Sequence, residues 1–216
     1  MYKKVKKAIV SNYKLIICFV CLIGFLALAE DVFNHDIMKG DIIGYELISK
    51  FLIRDNITPI MKIITWFGSA YCLISLTLIL FVTIKNKRVG ALIGINISII
   101  TIINQLLKFI LQRPRPTEFR IVNESGYSFP SGHSMISMAF YGFLAYLIYK
   151  NIKNKYVKWI LIIVLLLLPL LIGISRIYLG VHYTSDVLAG FLISISYLIV
   201  YTSIINRIRI NKKAKQ

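Results

Sequence analysis

The sequence predicts an all-α, polytopic membrane bundle of six transmembrane helices, and three observations lead to it. The 216 residues are 57% hydrophobic and only 16% charged, with a mean hydropathy of +0.74, outside the range of a soluble domain of this length. The apolar residues gather into long uncharged stretches, and about 20 residues suffice to cross the hydrocarbon core. The charges are sorted: residues 1–14, 85–88, 150–158 and 207–216 are rich in Lys and Arg and hold no acid, while all nine acids lie in the alternate connections. By the positive-inside rule both termini are cytoplasmic, and the connections after the first, third and fifth helices lie outside. The net charge of +17 is therefore the footprint of short juxtamembrane loops, and no nucleic-acid partner is expected.

The first span, residues 14–31, follows a lysine-rich start. That start, the apolar stretch and Ala27-Leu28-Ala29 also fit a secretory signal with a small-residue cleavage site, whose removal would leave five helices. From 30 to 59 the chain turns polar, yet Ile42, Ile43, Leu47, Ile48, Phe51 and Leu52 recur at near-helical spacing. This predicts an amphipathic helix on the outer surface, either a packing element or a rim that guides lipid. Residues 60–84 form the second span and 89–111 the third, where Gly90 and Gly94 permit close helix approach. Pro114 and Pro116 end the third helix, because proline lacks the amide donor and restricts the residue before it. Residues 132–150, 158–176 and 185–206 complete the six spans, all in one domain covering 1–216. Cys18, Cys21 and Cys72 fall inside apolar spans and are odd in number, so they imply packing and no disulfide framework. The Ile-, Lys- and Asn-rich composition points to the cell membrane of a bacterium with AT-rich coding.

Three stretches break the apolar pattern: residues 108–116 (KFILQRPRP), 130–133 (PSGH) and 175–186 (SRIYLGVHYTSD). All fall where the outer ends of the last four helices meet. Lys108 is costly near hydrocarbon unless its ammonium reaches an interface, a wet cavity or an anion. Arg113 and Arg115 sit on a stiff, extended segment beside it and favour an anion site. Pro130 and Ser131 read as the start of the fourth helix, with Ser131 the N-cap, Gly132 allowing close approach to the backbone and His133 at the same mouth. Arg176 ends the fifth helix. His182 and Asp186, four residues apart, share a helical face, so the carboxylate can hold one ring nitrogen and leave the other as a lone-pair donor. Only three histidines occur in the chain. His35, alone in the first outer loop, is expected to be solvated and inert. These parts suffice to bind a phosphate and cleave it without a metal or other cofactor. An anion transporter would use the cations but would not need the His–Asp pair plus a second histidine.

In family order, K-x6-R-P, P-S-G-H and S-R-x5-H-x3-D are all present, and the chain resembles the type 2 phosphatidic acid phosphatase superfamily of integral-membrane lipid phosphatases. The resemblance implies a helical core shared with soluble vanadium haloperoxidases and a metal-independent reaction. It implies that His182 attacks phosphorus to form a phosphohistidine, that Asp186 fixes its tautomer, and that His133 protonates the leaving alkoxide and later activates water. Lys108, Arg115, Arg176, the Ser131 hydroxyl and the Gly132 amide region would hold the phosphate oxygens. The implied partner is a membrane lipid phosphate or diphosphate in the bilayer, such as phosphatidylglycerol phosphate, phosphatidic acid or a polyprenyl diphosphate, processed at the extracytoplasmic leaflet. A phosphotransferase passing the same phosphoryl group to a lipid hydroxyl would carry identical motifs.

Overall fold

The computed structural model describes residues 2–34, 38–118 and 120–213, with side chains from 12 to 207 within those limits; His35 lies outside the described residues. Every regular element among the described residues is a helix: α1 (Tyr2–Phe33), α2 (Lys39–Leu52), α3 (Thr58–Trp66), α4 (Ala70–Thr83), α5 (Lys87–Leu111), α6 (Gly132–Asn151), α7 (Lys155–Tyr178) and α8 (Thr184–Lys213). The protein is a polytopic membrane bundle. Among the described residues Asn12–Phe33, Lys87–Leu111, Lys155–Tyr178 and Thr184–Arg207 are each long and apolar enough to cross a membrane, and α3 with α4 adds a fifth if the pair is one span.

The stretch expected as one second span is divided in two. α3 and α4 meet at 45° across a three-residue break. Gly68 is a poor helix former, and the Ser69 side chain caps α4 by accepting from the Cys72 amide at 3.3 Å. The break frees the Phe67 carbonyl in an apolar setting, where an unpaired backbone group is costly, and the Tyr141 hydroxyl of α6 donates to it at 2.9 Å.

α6 is the central helix, packed against α5, α7 and α8, while α1 runs along α8. Its 20 residues are not among the stretches apolar enough to cross by composition. The physical reason is its enclosure: Ser134, Ser137, Phe140, Tyr141 and Phe143 are buried against neighbouring helices, so its faces need not resemble lipid. The peripheral helices show the opposite pattern. Leu15, Phe19, Ile102, Phe109, Ile160 and Leu171 are exposed, as suits side chains that meet acyl tails. Cys21 and Cys72 are buried and Cys18 half-buried, all as free thiols.

α2 is the amphipathic helix the spacing predicts, but with a polar anchor. Ile48 and Leu52 pack on a cluster of Met61, Tyr178, Leu179 and Val181, whereas Ile42, Ile43, Leu47 and Phe51 stay exposed and Asp41 is buried. This helix packs on α7 and α8, beside the turn that carries the third motif.

Candidate active site

The site is built where four helix ends converge. α5 stops at Leu111 because Gln112 adopts a left-handed conformation (φ 43°) while its amide still bonds the Lys108 carbonyl. Pro114 then keeps Arg113 extended. The 113–130 connection folds back over the bundle: the Ser128 amide donates to the Arg113 carbonyl at 2.8 Å, and the Ser131 amide to the Asp186 carbonyl at 3.0 Å.

His182 lies in the turn between α7 and α8 and is 3% exposed. Its Nε2 stands 3.0 Å from an Arg115 terminal nitrogen. Guanidinium only donates, so Nε2 presents its lone pair and Nδ1 carries the proton. Nδ1 faces the Ser128 hydroxyl at 3.2 Å and Asp186 Oδ2 at 3.4 Å, and the Ser128 hydroxyl itself donates to that same Oδ2. The imidazole is therefore oriented both directly and through Ser128. Complete burial pushes its pKa down to about 4, with Arg176 and Arg115 acting in the same direction against the pull of Asp186, so the ring is neutral near pH 7.

Asp186 is fully buried at the first turn of α8. Oδ2 also accepts the Tyr183 amide at 2.8 Å, and Oδ1 accepts from Arg113 at 2.7 Å.

Arg115 is held by the carbonyls of Ser125, Gly126 and Val181, each at 3.0 Å. The Lys108 ammonium reaches out of α5 to the carbonyls of Tyr127 and Ser128. Arg176 is 1% exposed; it donates to the Thr65 hydroxyl at 2.9 Å and to Glu124 at 2.6 Å, while its Nε is buried without a partner. Burial works to raise the Glu124 carboxyl, but the charge and hydrogen bond of Arg176 outweigh it and hold the group below the usual carboxylate range.

Ser131 caps α6 as the sequence predicts, though at a long 3.5 Å from the Ser134 amide. Its hydroxyl is wholly buried, 3.1 Å from the Ser134 hydroxyl, and does not line the cavity described next. At Gly132 a β-carbon would stand 3.1 Å from Asn104 Oδ1, so close packing of α6 on α5 demands glycine there as well as any approach of a ligand. The Asn104 amide fastens the turn by donating to the Pro130 carbonyl at 3.2 Å. His133 is half-buried and makes no side-chain hydrogen bond among the described residues, leaving its ring nitrogens free for a substrate.

A cavity of about 530 Å³ joins these groups: Lys108, Arg115, Gly132, His133 and His182 line it together with Leu73, Ile74, Ile97 and Ile102 of α4 and α5. Arg176, Ser131 and Asp186 stand behind that wall. A second cavity, of about 750 Å³, reaches His182 from the α2 side. Among the described residues no three or more His, Cys, Asp or Glu side chains gather where they would hold a metal ion. Asp41, Arg113, Glu124, Ser128 and Asn104 complete the site without having been singled out from sequence as parts of it, apart from the local anion attraction given to Arg113.

Two histidines, a buried carboxylate and clustered cations in a membrane bundle, opening on an apolar groove, define a membrane enzyme that handles phosphate on lipid. The PAP2 superfamily model matches residues 89–210, which include every motif of the site, and the chain belongs to this superfamily of membrane lipid phosphatases. It is 33% identical to phosphatidylglycerophosphatase B of Bacillus subtilis over 174 residues, 77% of this chain and 84% of that one. It is 28% identical to an undecaprenyl-diphosphatase of Sulfolobus acidocaldarius over 178 residues, 78% of this chain and 77% of that one. The crystal structure of a transmembrane PAP2-type phosphatidylglycerolphosphate phosphatase from Bacillus subtilis superposes with a TM-score of 0.77 at 29% identity, covering 88% of this chain and 96% of that one. The protein is thus a multi-pass membrane enzyme that hydrolyses lipid phosphate.

Proposed function

We propose that the substrate is a lipid phosphomonoester or diphosphate, of the kind represented by phosphatidylglycerol phosphate, phosphatidic acid or polyprenyl diphosphate, and that hydrolysis runs without a metal through a phosphohistidine on His182. The observation that carries this reading is the lining of the 530 Å³ cavity, which joins cations and both histidines to apolar side chains of α4 and α5. A lipid entering sideways between those helices brings its phosphate to His182 while its tail stays in hydrocarbon.

With phosphate in place, Arg115 turns its donors from Nε2 to the non-bridging oxygens, and the freed lone pair attacks phosphorus. Lys108 and the Gly132 amide stabilise the spreading charge, a contribution of about 10²–10³ per donor in comparable oxyanion sites, and Arg176 adds its positive charge from behind the wall. His133 gives its proton to the leaving oxygen, then takes one from the water that hydrolyses the N–P bond. Ser131 contributes the cap that fixes Gly132 and His133. Counting the α3–α4 pair as one span and α6 as another gives six spans; the charge sorting then supports cytoplasmic termini and an extracytoplasmic site.

Phosphate release from the three lipids in liposomes, with EDTA present, tests the reading: release persists with chelator, and its loss there contradicts the metal-free chemistry. The pH profile adds a second expectation. Because the His182 imidazole is neutral above about pH 4, kcat/KM holds on the acid side until the pH falls through about 4, where protonation removes the attacking lone pair. On the alkaline side the decline is expected in kcat, because the bound phosphate dianion is what keeps a proton on His133 among Lys108 and Arg115; a kcat that climbs without limit at high pH contradicts that role. Ser128→Ala removes one buried link between Nδ1 and Asp186, and kcat/KM falls about 10- to 100-fold with KM nearly unchanged. Steady-state assays of the purified variant check this.

A further inference from the structure

Asp186 has a difficulty as the partner of His182: it is already in a buried ion pair. Arg113 donates to its Oδ1 at 2.7 Å, and both side chains are almost wholly excluded from solvent. A carboxylate matched by a cation offers less than a free one to an imidazole that must become positive as Nε2 bonds to phosphorus. The surroundings make this worse, because Lys108 from α5, Arg115 from the 113–130 connection and Arg176 from α7 crowd the same ring, with His133 of α6 beside them. On the other side stand Glu124, paired to Arg176, and Tyr45, Glu46, Glu118 and Tyr183 around the α2-side cavity.

The second partner of Arg113 resolves the difficulty. Its other terminal nitrogen donates to Asp41 Oδ2 at 2.7 Å, and Asp41 is 3% exposed. Asp41 is tied down independently: its Oδ1 accepts the Ser185 amide at 2.8 Å and its Oδ2 the Ser185 hydroxyl at 2.9 Å, so it also caps the start of α8. Ser185 donates back into the same oxygen that Arg113 binds, and the guanidinium lies over the Tyr183 ring at 4.0 Å. Next to this contact α2 touches α8 closely enough that a β-carbon on Gly44 would stand 2.1 Å from the Thr184 hydroxyl. Burial opposes the charge on Arg113, yet Asp186 and Asp41 together hold its pKa above the ordinary arginine value. A buried trio of two carboxylates and one cation carries a net charge of −1, whereas the Arg113–Asp186 pair alone carries none.

We propose that Asp41 is a positioning residue for hydrolysis, acting from α2 through Arg113: it balances the arginine so that the negative charge of Asp186 remains available to His182. The proposal rests on the phosphohistidine reading above. It gives α2 a part in the chemistry besides packing.

The test compares kcat/KM against pH for wild type, Asp41→Asn, Arg113→Gln and the double variant, using one short-chain lipid phosphate in detergent so that substrate ionisation cancels. Removing one buried negative charge at this range moves the acid midpoint by about one pH unit. Asp41→Asn therefore lowers it, so at pH 4 the variant keeps a larger fraction of its own neutral-pH activity than wild type does, although that activity is reduced about 10- to 100-fold. Arg113→Gln moves the midpoint up, and the double variant returns it towards wild type. A midpoint unmoved in Asp41→Asn, whatever happens to the rate, makes Asp41 a structural tether only and overturns the proposal, as does a double variant that stays where Asp41→Asn lies. Should Asp41→Asn fail to fold, the double variant is compared with Arg113→Gln: a lower midpoint in the double variant shows that the Asp41 charge reaches His182, and an equal one overturns the proposal. Failure of the phosphohistidine reading is separate, for it appears as activity surviving in His182→Ala.

Discussion

His182→Ala abolishes phosphate release, with a loss of about 10⁴-fold or more in kcat at any pH between 5 and 9. The size follows from what is removed. Phosphomonoester hydrolysis is among the slowest uncatalysed reactions, and acceleration up to about 10²¹-fold cannot come from electrostatics alone. Without Nε2 the cationic wall still binds phosphate, so substrate affinity falls little. Binding measured with a non-hydrolysable phosphonate lipid separates the two effects: near-normal affinity with no turnover is expected, because Lys108, Arg115 and Arg176 keep their other anchors in the Tyr127, Gly126, Ser125 and Thr65 groups. Protein that retains turnover would remove His182 from the chemistry.

The second large effect belongs to His133. General acid catalysis contributes typically 10²–10⁴-fold, and the benefit depends on how poor the leaving group is. His133→Asn is therefore expected to lower the rate by about 10³-fold for a phosphomonoester lipid, whose alkoxide must be protonated as it departs. A nitrophenyl phosphate needs no such help in its first step, so nitrophenol release within the first turnover is nearly unaffected. Stopped-flow release of nitrophenol against lipid phosphate hydrolysis reads this contrast. Equal losses for both substrates would assign His133 to positioning.

Much of this site is legible in the sequence because each motif carries its chemistry locally. His182 and Asp186 do meet as their spacing predicts, though from the turn before α8 and not along one helical face, and a Ser-Gly step after Pro130 announces a capped helix start. The groups that complete the site act across the chain. Asp41 meets Ser185 over a separation of 144 residues, and Ser128 meets Asp186 over 58. The one local sign of Asp41 is its place seven and eleven residues before Ile48 and Leu52, on the face of α2 that packs, since an amphipathic helix has no cause to put a carboxylate there unless something answers it. Arg113 reads from sequence as a cation beside an anion site, and its ion pairs are not legible there because its two carboxylates arrive from α2 and α8. The break at Gly68 and Ser69 was hidden by hydropathy, which runs on through both halves. α6 presents the reverse case: a helix over 132–150 is legible from sequence, and its polar residues are accommodated because other helices shield it from lipid.

The covalent intermediate is the central claim, and His133→Asn makes it visible. With nitrophenyl phosphate the first step proceeds in this variant, while hydrolysis of the N–P bond lacks its base and stalls. Rapid mixing should give a burst of about one nitrophenol per active site, and peptide mapping under alkaline conditions, where phosphohistidine survives, should place one phosphoryl group on His182. Steady release without a burst, or a phosphoryl group mapped to any other residue, would contradict the account.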